Sequence, residues 1–244
     1  KSANLRIFYL NQLFIIKTFN IPLKKSLPKN HYFWEMKISA EILLQQLQEA
    51  ELGGFEAQKI YAPPYRSLLS EEEILANNPK YAAVNILLYP KNGEWYFPLI
   101  LRTHNENDRH SGQISLPGGK KDDADEDFSD TALRETWEEI GIEKSQIKIL
   151  RELSPIYIPP SNFFVYAYLS YVEKTPIFKF QETEVQEILE IPLSVVQNMP
   201  NPPEIMELPN SNGYQVPYLD FNQHKIWGAT SMILSELNQL LKNV

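Results

Sequence analysis

No cysteine occurs anywhere in the 244 residues. Disulfides, zinc–thiolate sites and cysteine nucleophiles are therefore excluded. No apolar run approaches the roughly 20 residues that a membrane-spanning helix needs. Positive charge is scarce: 23 Lys and Arg stand against 31 Asp and Glu, a net charge of −8. That balance argues against general binding to nucleic acid or to anionic membranes. What is present is a 43% hydrophobic share, ordinary for a globular protein and enough for a sizeable core. The length allows between one and two domains. A cysteine-free, acidic chain fits a reducing cytoplasm, the expected location.

The few basic side chains are unevenly spread. Residues 1–35 hold Lys1, Arg6, Lys17, Lys24, Lys25 and Lys29 against the single acid Glu35. The apolar stretch from Leu5 to Phe19 is interrupted by Asn11, Gln12 and Lys17, and no small-x-small cleavage site follows, so a signal peptide is not expected. Met36 opens a more regular segment. Residues 1–35 are therefore read as an N-terminal extension, either non-native or flexible, with a partner-binding or membrane-touching arm as the alternative. Residues 36–244 are read as one domain.

Within that domain, helical spacing of Ile42, Leu43, Leu44 and Leu47 predicts an amphipathic helix over 38–51, stopped by Gly53-Gly54. A second, short helix is expected from Ser70. Residues 81–89 and 94–101 read as strands joined at Asn92-Gly93, the strongest short hairpin signal. A strand-like QISL (113–116) precedes the turn Pro117-Gly118-Gly119, and a helix over about 128–140 ends at Gly141. Strands are expected at 145–153 and 163–172. Residues 184–198 mix strand and helix signals, and 226–242 read as a final helix. The segment from Asn198 to Gly213 has four prolines and reads as an excursion, a lid or an interface. Strands, a central helix, more strands and a last helix imply an α+β or α/β sandwich.

The helix over 133–141 carries the chemistry. At helical spacing Glu135, Glu138 and Glu139 fall within about 100° of one another. Leu133, Trp137 and Ile140 fall on the opposite side, so the apolar stripe is expected to dock and the acidic stripe to face out. Glu135 and Glu139 form an i,i+4 like-charge pair, and Glu138 and Glu139 sit at the negative end of the helix dipole. Arg134 offsets part of this through Glu138. Three convergent carboxylates call for a counter-charge, and oxygen ligands suit Mg²⁺ or Mn²⁺. Upstream lie two glycines, Gly118 and Gly119, and an acidic loop with Asp122, Asp123, Asp125, Glu126 and Asp127. A glycine turn permits close backbone approach; with the acidic loop and helix it makes a metal–phosphate arrangement.

Gly119, the acidic loop and Arg134-Glu135-Thr136-Trp137-Glu138-Glu139-Ile140-Gly141-Ile142 resemble the Nudix box. That box is a glycine, five residues, a glutamate, seven residues, then Arg-Glu-aliphatic-x-Glu-Glu-x-Gly-aliphatic. Thr136 departs from it at the aliphatic position. Gly119 to Arg134 also spans one position more than the general pattern, and the isolated glutamate is replaced by Asp125 or Glu126. Arg102, Arg109 and HSGQISLPGGKKDDAD (110–125) are similar to the coenzyme A pyrophosphatase branch, which has the lengthened box; Leu116 stands where that branch has phenylalanine. Segments 154–168, 184–193 and 226–230 also resemble it.

The resemblance implies a Nudix-type α/β/α sandwich with a mixed central sheet. It implies divalent-metal-dependent hydrolysis of a nucleoside diphosphate derivative, foremost coenzyme A or its thioesters. Glu135, Glu138 and Glu139 are the implied Mg²⁺ or Mn²⁺ ligands. Arg134 orients the acidic helix, and Gly118 and Gly119 shape the turn. Glu182, Glu184 and Glu187 are outside candidates for the general base. Arg102, Arg109, His110 and Lys120 belong to a local basic cluster suited to a multiply phosphorylated small molecule. Phe163 or Tyr157 could touch adenine or pantetheine, although the 163–171 strand reads more as core. Alternatives are ADP-ribose, NADH or dinucleoside polyphosphates as substrate, or a non-catalytic nucleotide-sensing module. The expected partner is a nucleotide, with a homodimer left open.

Overall fold

The computed structural model describes residues 40–64, 66, 69–103, 112–208 and 213–243. The expected extension, 1–35, lies outside the described residues. Residues 42–244 form one compact unit. Helix α1, whose residues 42–49 belong to that unit, leads to α2 (Gly54–Gln58) and α3 (Glu71–Ala76). Ser70 caps α3 with a reciprocal box: its hydroxyl accepts from the Glu73 amide and its own amide donates to the Glu73 carboxylate.

The long strand β1 (Lys80–Lys91) is the spine of the sheet. The strands that follow are β2 (Glu94–Arg102), β3 (Ile114–Ser115), β4 (Gly118–Lys120), β5 (Lys148–Glu152), β6 (Ile156–Ile158), β7 (Phe163–Tyr171) and β8 (Val185–Pro192). β1 runs parallel to β7 from Lys80↔Phe163 to Leu88↔Tyr171. Along its other edge β1 changes partner. Its first half pairs antiparallel with β4, Val84 opposite Gly118, and its end pairs with β2, Tyr89 opposite Tyr96. Between the two stretches the Asn85 amide donates to the Pro117 carbonyl at 2.8 Å. β2 also pairs with β3 and β8, and β7 with β5 and β6. The β1–β2 turn has Asn92 and Gly93 at φ 53° and 83°, the left-handed pair that a two-residue hairpin requires.

β1 is buried on both faces, and its alternation divides the core. Ala82, Ile86 and Leu88 join the larger cluster with Leu234 and Leu237, while Ala83, Leu87 and Tyr89 face the other way. Helix α4 (Phe128–Ile140) covers that second face. Its N-terminus is capped by the Asp127 carboxylate, which accepts from the Asp130 amide at 2.9 Å, a bond worth about 1 kcal/mol. Its end is set by Gly141 at φ 75°, whose amide donates to Trp137 O. The opposite face carries α5 (Leu193–Gln197) and α6 (Gly228–Lys242), and α6 is apolar enough to bury most of its length. This is the α/β/α sandwich with a mixed sheet that the sequence implies.

Three local expectations change. Residues 118–120 form strand β4 rather than only a turn. Ile226 and Trp227 end β11 (His224–Trp227) instead of starting the last helix. The proline-rich segment is built into the fold: Met199 is buried, the Tyr61 hydroxyl donates to Pro200 O, and β9 (Glu204–Glu207) pairs with β10 (Gln215–Phe221) in a small sheet with β11. Residues 209–212 lie outside the described residues. Among the described residues no helix is long and apolar enough to cross a membrane.

Candidate functional site

Helix α4 does not dock as its apolar spacing suggests. Ile140 is buried, but Trp137 is 46% exposed, with its indole N–H donating to Glu143. The stripe against the sheet is Ala132, Thr136, Glu139 and Ile140. The reason lies across the interface. Gly118 and Gly119 in β4 have no side chains, so the helix comes close, and the Gly118 amide donates to Glu139 Oε2 at 2.9 Å. A Cβ on Gly118 would meet Ala83 O at 2.3 Å, and one on Gly119 would stand 2.5 Å from the Glu135 carboxylate. Glu139 therefore faces inward, 2% exposed.

The carboxylates separate into two roles. Glu135 and Glu139 share a cavity of about 350 Å³ with Arg102, Lys120 and Glu184. Glu138 lies outside that lining, with its side chain 39% exposed and bonded to Arg134 at 3.0 Å. The expected trio is thus a pair, one helical turn apart, joined by Glu184 from the segment entering β8. Glu184 is held there because its carbonyl accepts from the Thr103 amide at 3.0 Å. Glu182 and Glu187 do not line the cavity. Among the described residues no three acidic or histidine side chains are grouped as a metal site on protein ligands alone.

Arg134 organises the helix. Its Nε and Nη2 donate to the two oxygens of Asp125 at 2.8 and 3.0 Å, its Nη1 to Glu135 at 2.8 Å, and Nη2 also to Lys120 O. Of Asp125 and Glu126, it is Asp125 that meets Arg134: it is buried and also accepts from Thr131 and the Asp122 amide, whereas Glu126 is exposed. The Arg134 guanidinium, foremost, with the Thr131 and Asp122 donors, holds the Asp125 carboxyl well below the usual carboxylate range despite its burial. Burial pushes Glu139 up to about 8; Glu135 and Glu184 add to the rise, and the Gly118 amide and Arg102 oppose it. Glu135 is raised too, chiefly by burial. Arg102 Nη1 stands 3.6 Å from Glu139 Oε1. Paired hard oxygens in a desolvated cleft are what a divalent cation neutralises, and Mg²⁺ commonly takes one or two carboxylates with the rest from phosphate and water. The donor set fits such an ion.

Arg102, Gly118, Gly119 and Lys120 also line a second cavity of about 700 Å³. Its walls are mainly apolar, among them Leu69, Val84, Leu116, Ile158, Phe163 and Ile233. The Pro159–Ser161 loop lines it. Phe163 does too, whereas the Tyr157 hydroxyl donates to Asn162. Two hydroxyls in its lining, Ser115 Oγ and Ser161 Oγ, are buried with no hydrogen-bond partner. Sequence reading did not single out Ser115, Ser161 or Thr183, because nothing in their local spacing marks them; Ser115 arrives on strand β3, and Ser161 and Thr183 on the turns before β7 and β8. Arg109 and His110 lie outside the described residues.

A NUDIX domain profile matches residues 79–208. A human mitochondrial coenzyme A diphosphatase, NUDT8 (Homo sapiens), is 31% identical over 169 residues, covering 68% of this chain and 72% of that one. An uncharacterized Nudix hydrolase NudL from Photorhabdus laumondii is 28% identical, covering 68% of this chain and 87% of that one. The mouse NUDT8 (Mus musculus) is 30% identical, covering 68% and 80%. With that profile spanning more than half of its residues and a relative 31% identical over two thirds of it, the chain belongs to the Nudix hydrolase family.

Proposed function

We propose that this pyrophosphohydrolase cleaves the diphosphate of coenzyme A or its thioesters with Mg²⁺ or Mn²⁺, giving 3′,5′-ADP and 4′-phosphopantetheine or its acylated form. The observation that carries the reading is the adjoining pair of cavities. The acidic one suits a metal-bound diphosphate, and the 700 Å³ apolar one suits the bulk of a long substituent. The names of the NUDT8 relatives support the same substrate.

In this reading Glu135 and Glu139 hold the cation. When bound, it supplies charge neutralisation at the diphosphate and a more acidic water. Glu138 acts through Arg134, keeping Glu135 turned toward the cleft. Arg102 and Lys120, with Arg109 and His110, receive phosphate oxygens, and the β4 backbone at Gly118 and Gly119 forms the floor. Glu184, facing the cleft, is the candidate to accept the proton of the attacking water. Water adds across one P–O–P linkage, so that each product leaves with a terminal phosphate. Residues 1–35 take no part in this scheme, and 36–244 constitute the working domain. We place the protein in the cytoplasm, consistent with the lack of cysteine; the name of the human relative places that protein in mitochondria.

The test is a panel of coenzyme A, acyl-coenzyme A, ADP-ribose, NADH and diadenosine polyphosphates with Mg²⁺ or Mn²⁺, products identified by mass. A higher kcat/KM for coenzyme A or its thioesters is expected. Preference for ADP-ribose or a dinucleotide would replace the substrate, and no turnover of any member would remove the enzyme reading.

A further inference from the structure

Thr136 breaks the box pattern with a buried hydroxyl, and the structure gives that hydroxyl a use. A directional chain of hydrogen bonds runs beneath α4. Ser170 Oγ donates to Asn85 Oδ1 at 2.6 Å, Asn85 Nδ2 donates to Thr136 Oγ1 at 3.1 Å, and Thr136 Oγ1 donates to Ala132 O at 2.7 Å. Asn85, Thr136 and Ser170 are each 0% exposed and Ala132 is 1%. Asn85 holds a second element through its backbone, where its amide donates to Pro117 O at 2.8 Å. Pro117 precedes Gly118, and the Gly118 amide is the donor to Glu139. One residue of the spine strand therefore grips both sides of the Gly118–Glu139 contact. Its main chain fixes the donor's loop, and its side chain fixes the rotation of the helix that carries the acceptor.

The packing explains why a polar grip is needed. Beside the chain, Ala83, Ala132 and Tyr168 pack with Phe128 and Tyr166, and apolar contact of this kind is non-directional, so it holds the helix close without fixing its rotation. A buried hydrogen bond has a narrow angular tolerance, and losing it strands a donor in the core. We infer that Asn85 is a positioning residue for Glu139, acting through Thr136, with Ser170 fixing the orientation of the Asn85 amide. The inference rests on the reading of Glu139 as a working carboxylate.

The experiment compares Thr136→Val, Thr136→Ser, Asn85→Leu and the double variant Asn85→Leu/Thr136→Val. Two readouts are used: amide hydrogen exchange by NMR in metal-free protein, and steady-state kinetics. Thr136→Val and Asn85→Leu should each speed Gly118 exchange about tenfold while amides along the β1–β7 ladder keep their protection. Each should lower kcat about tenfold with KM within about twofold, because a small misplacement of a reacting group acts on turnover. Thr136→Ser should stay within about twofold of wild type, and the double variant should be no worse than the worse single one. Should Asn85→Leu not fold, the Thr136 pair alone decides. A Thr136→Val protein with wild-type Gly118 exchange and wild-type kcat, altered only in Tm, overturns the inference. Loss of Gly118 protection in Thr136→Val, in a protein whose wild type hydrolyses no nucleoside diphosphate, overturns the functional reading and upholds Asn85 as the residue that sets Glu139.

Discussion

Arg134 and Asp125 meet in a two-pronged ion pair, Nε to Oδ1 at 2.8 Å and Nη2 to Oδ2 at 3.0 Å, with side chains 18% and 2% exposed. The pair ties the acidic loop to the middle of α4, and removing one partner leaves a charge with little solvent. Asp125→Ala should cost about 3 kcal/mol in urea unfolding. An unchanged midpoint would mean that Glu135 and Glu138 hold Arg134 unaided.

The same pair fixes a pH dependence. The Asp125 carboxyl is depressed in the folded state, so its stabilisation is complete above the unfolded value of about 3.9 and is lost as pH falls through the lower folded value. The stability gap between wild type and Asp125→Asn should be full at neutral pH and close progressively below about pH 4. Urea unfolding across that range measures it, and a constant gap would refute the assignment.

Gly118 and Gly119 should respond differently to alanine. The atoms nearest a Gly119 Cβ are the Glu135 carboxylate, a side-chain end that can shift, so Gly119→Ala should keep its Tm within a few degrees while kcat falls about 100-fold. The Gly118 Cβ would meet the Ala83 carbonyl, so Gly118→Ala should be destabilised by about 2 kcal/mol or more. Paired melting curves and kinetics separate the two.

Glu139→Gln should abolish turnover, losing about 100-fold or more in kcat, while the fold persists, since the amide oxygen can still accept from Gly118. The metal-free variant should also melt higher, because a buried carboxylate is replaced by a neutral group. Unchanged kcat would remove Glu139 from the site.

Ala229 lines the apolar cavity. Ala229→Phe should raise KM for coenzyme A about tenfold or more and disturb ADP-ribose less, the span expected when a pocket loses fit for its ligand. Equal effects on both substrates would place the long substituent elsewhere.

Much of the site was legible because its signals are local. The Asn92-Gly93 hairpin, the Gly141 stop and the ends of α4 follow from turn and cap chemistry and stand where expected. The Arg134–Glu138 pair follows from i,i+4 spacing. The docking face of α4 was misread because periodicity ranks Trp137 above Thr136 and Glu139, and only a partner strand made of glycines reverses that order. Glu184 stood on paper beside Glu182 and Glu187 as an equivalent acid, and only the cavity lining and the Thr103–Glu184 backbone bond single it out; the two cavity hydroxyls carry no local signal at all. Asp125 and Glu126 were equivalent on paper, and burial beside Arg134 separates them.

The segment Gly118–Lys120 borders both cavities at once. A molecule long enough to occupy the two must thread past the same short stretch of backbone, so what it carries at one end is not selected independently of the other.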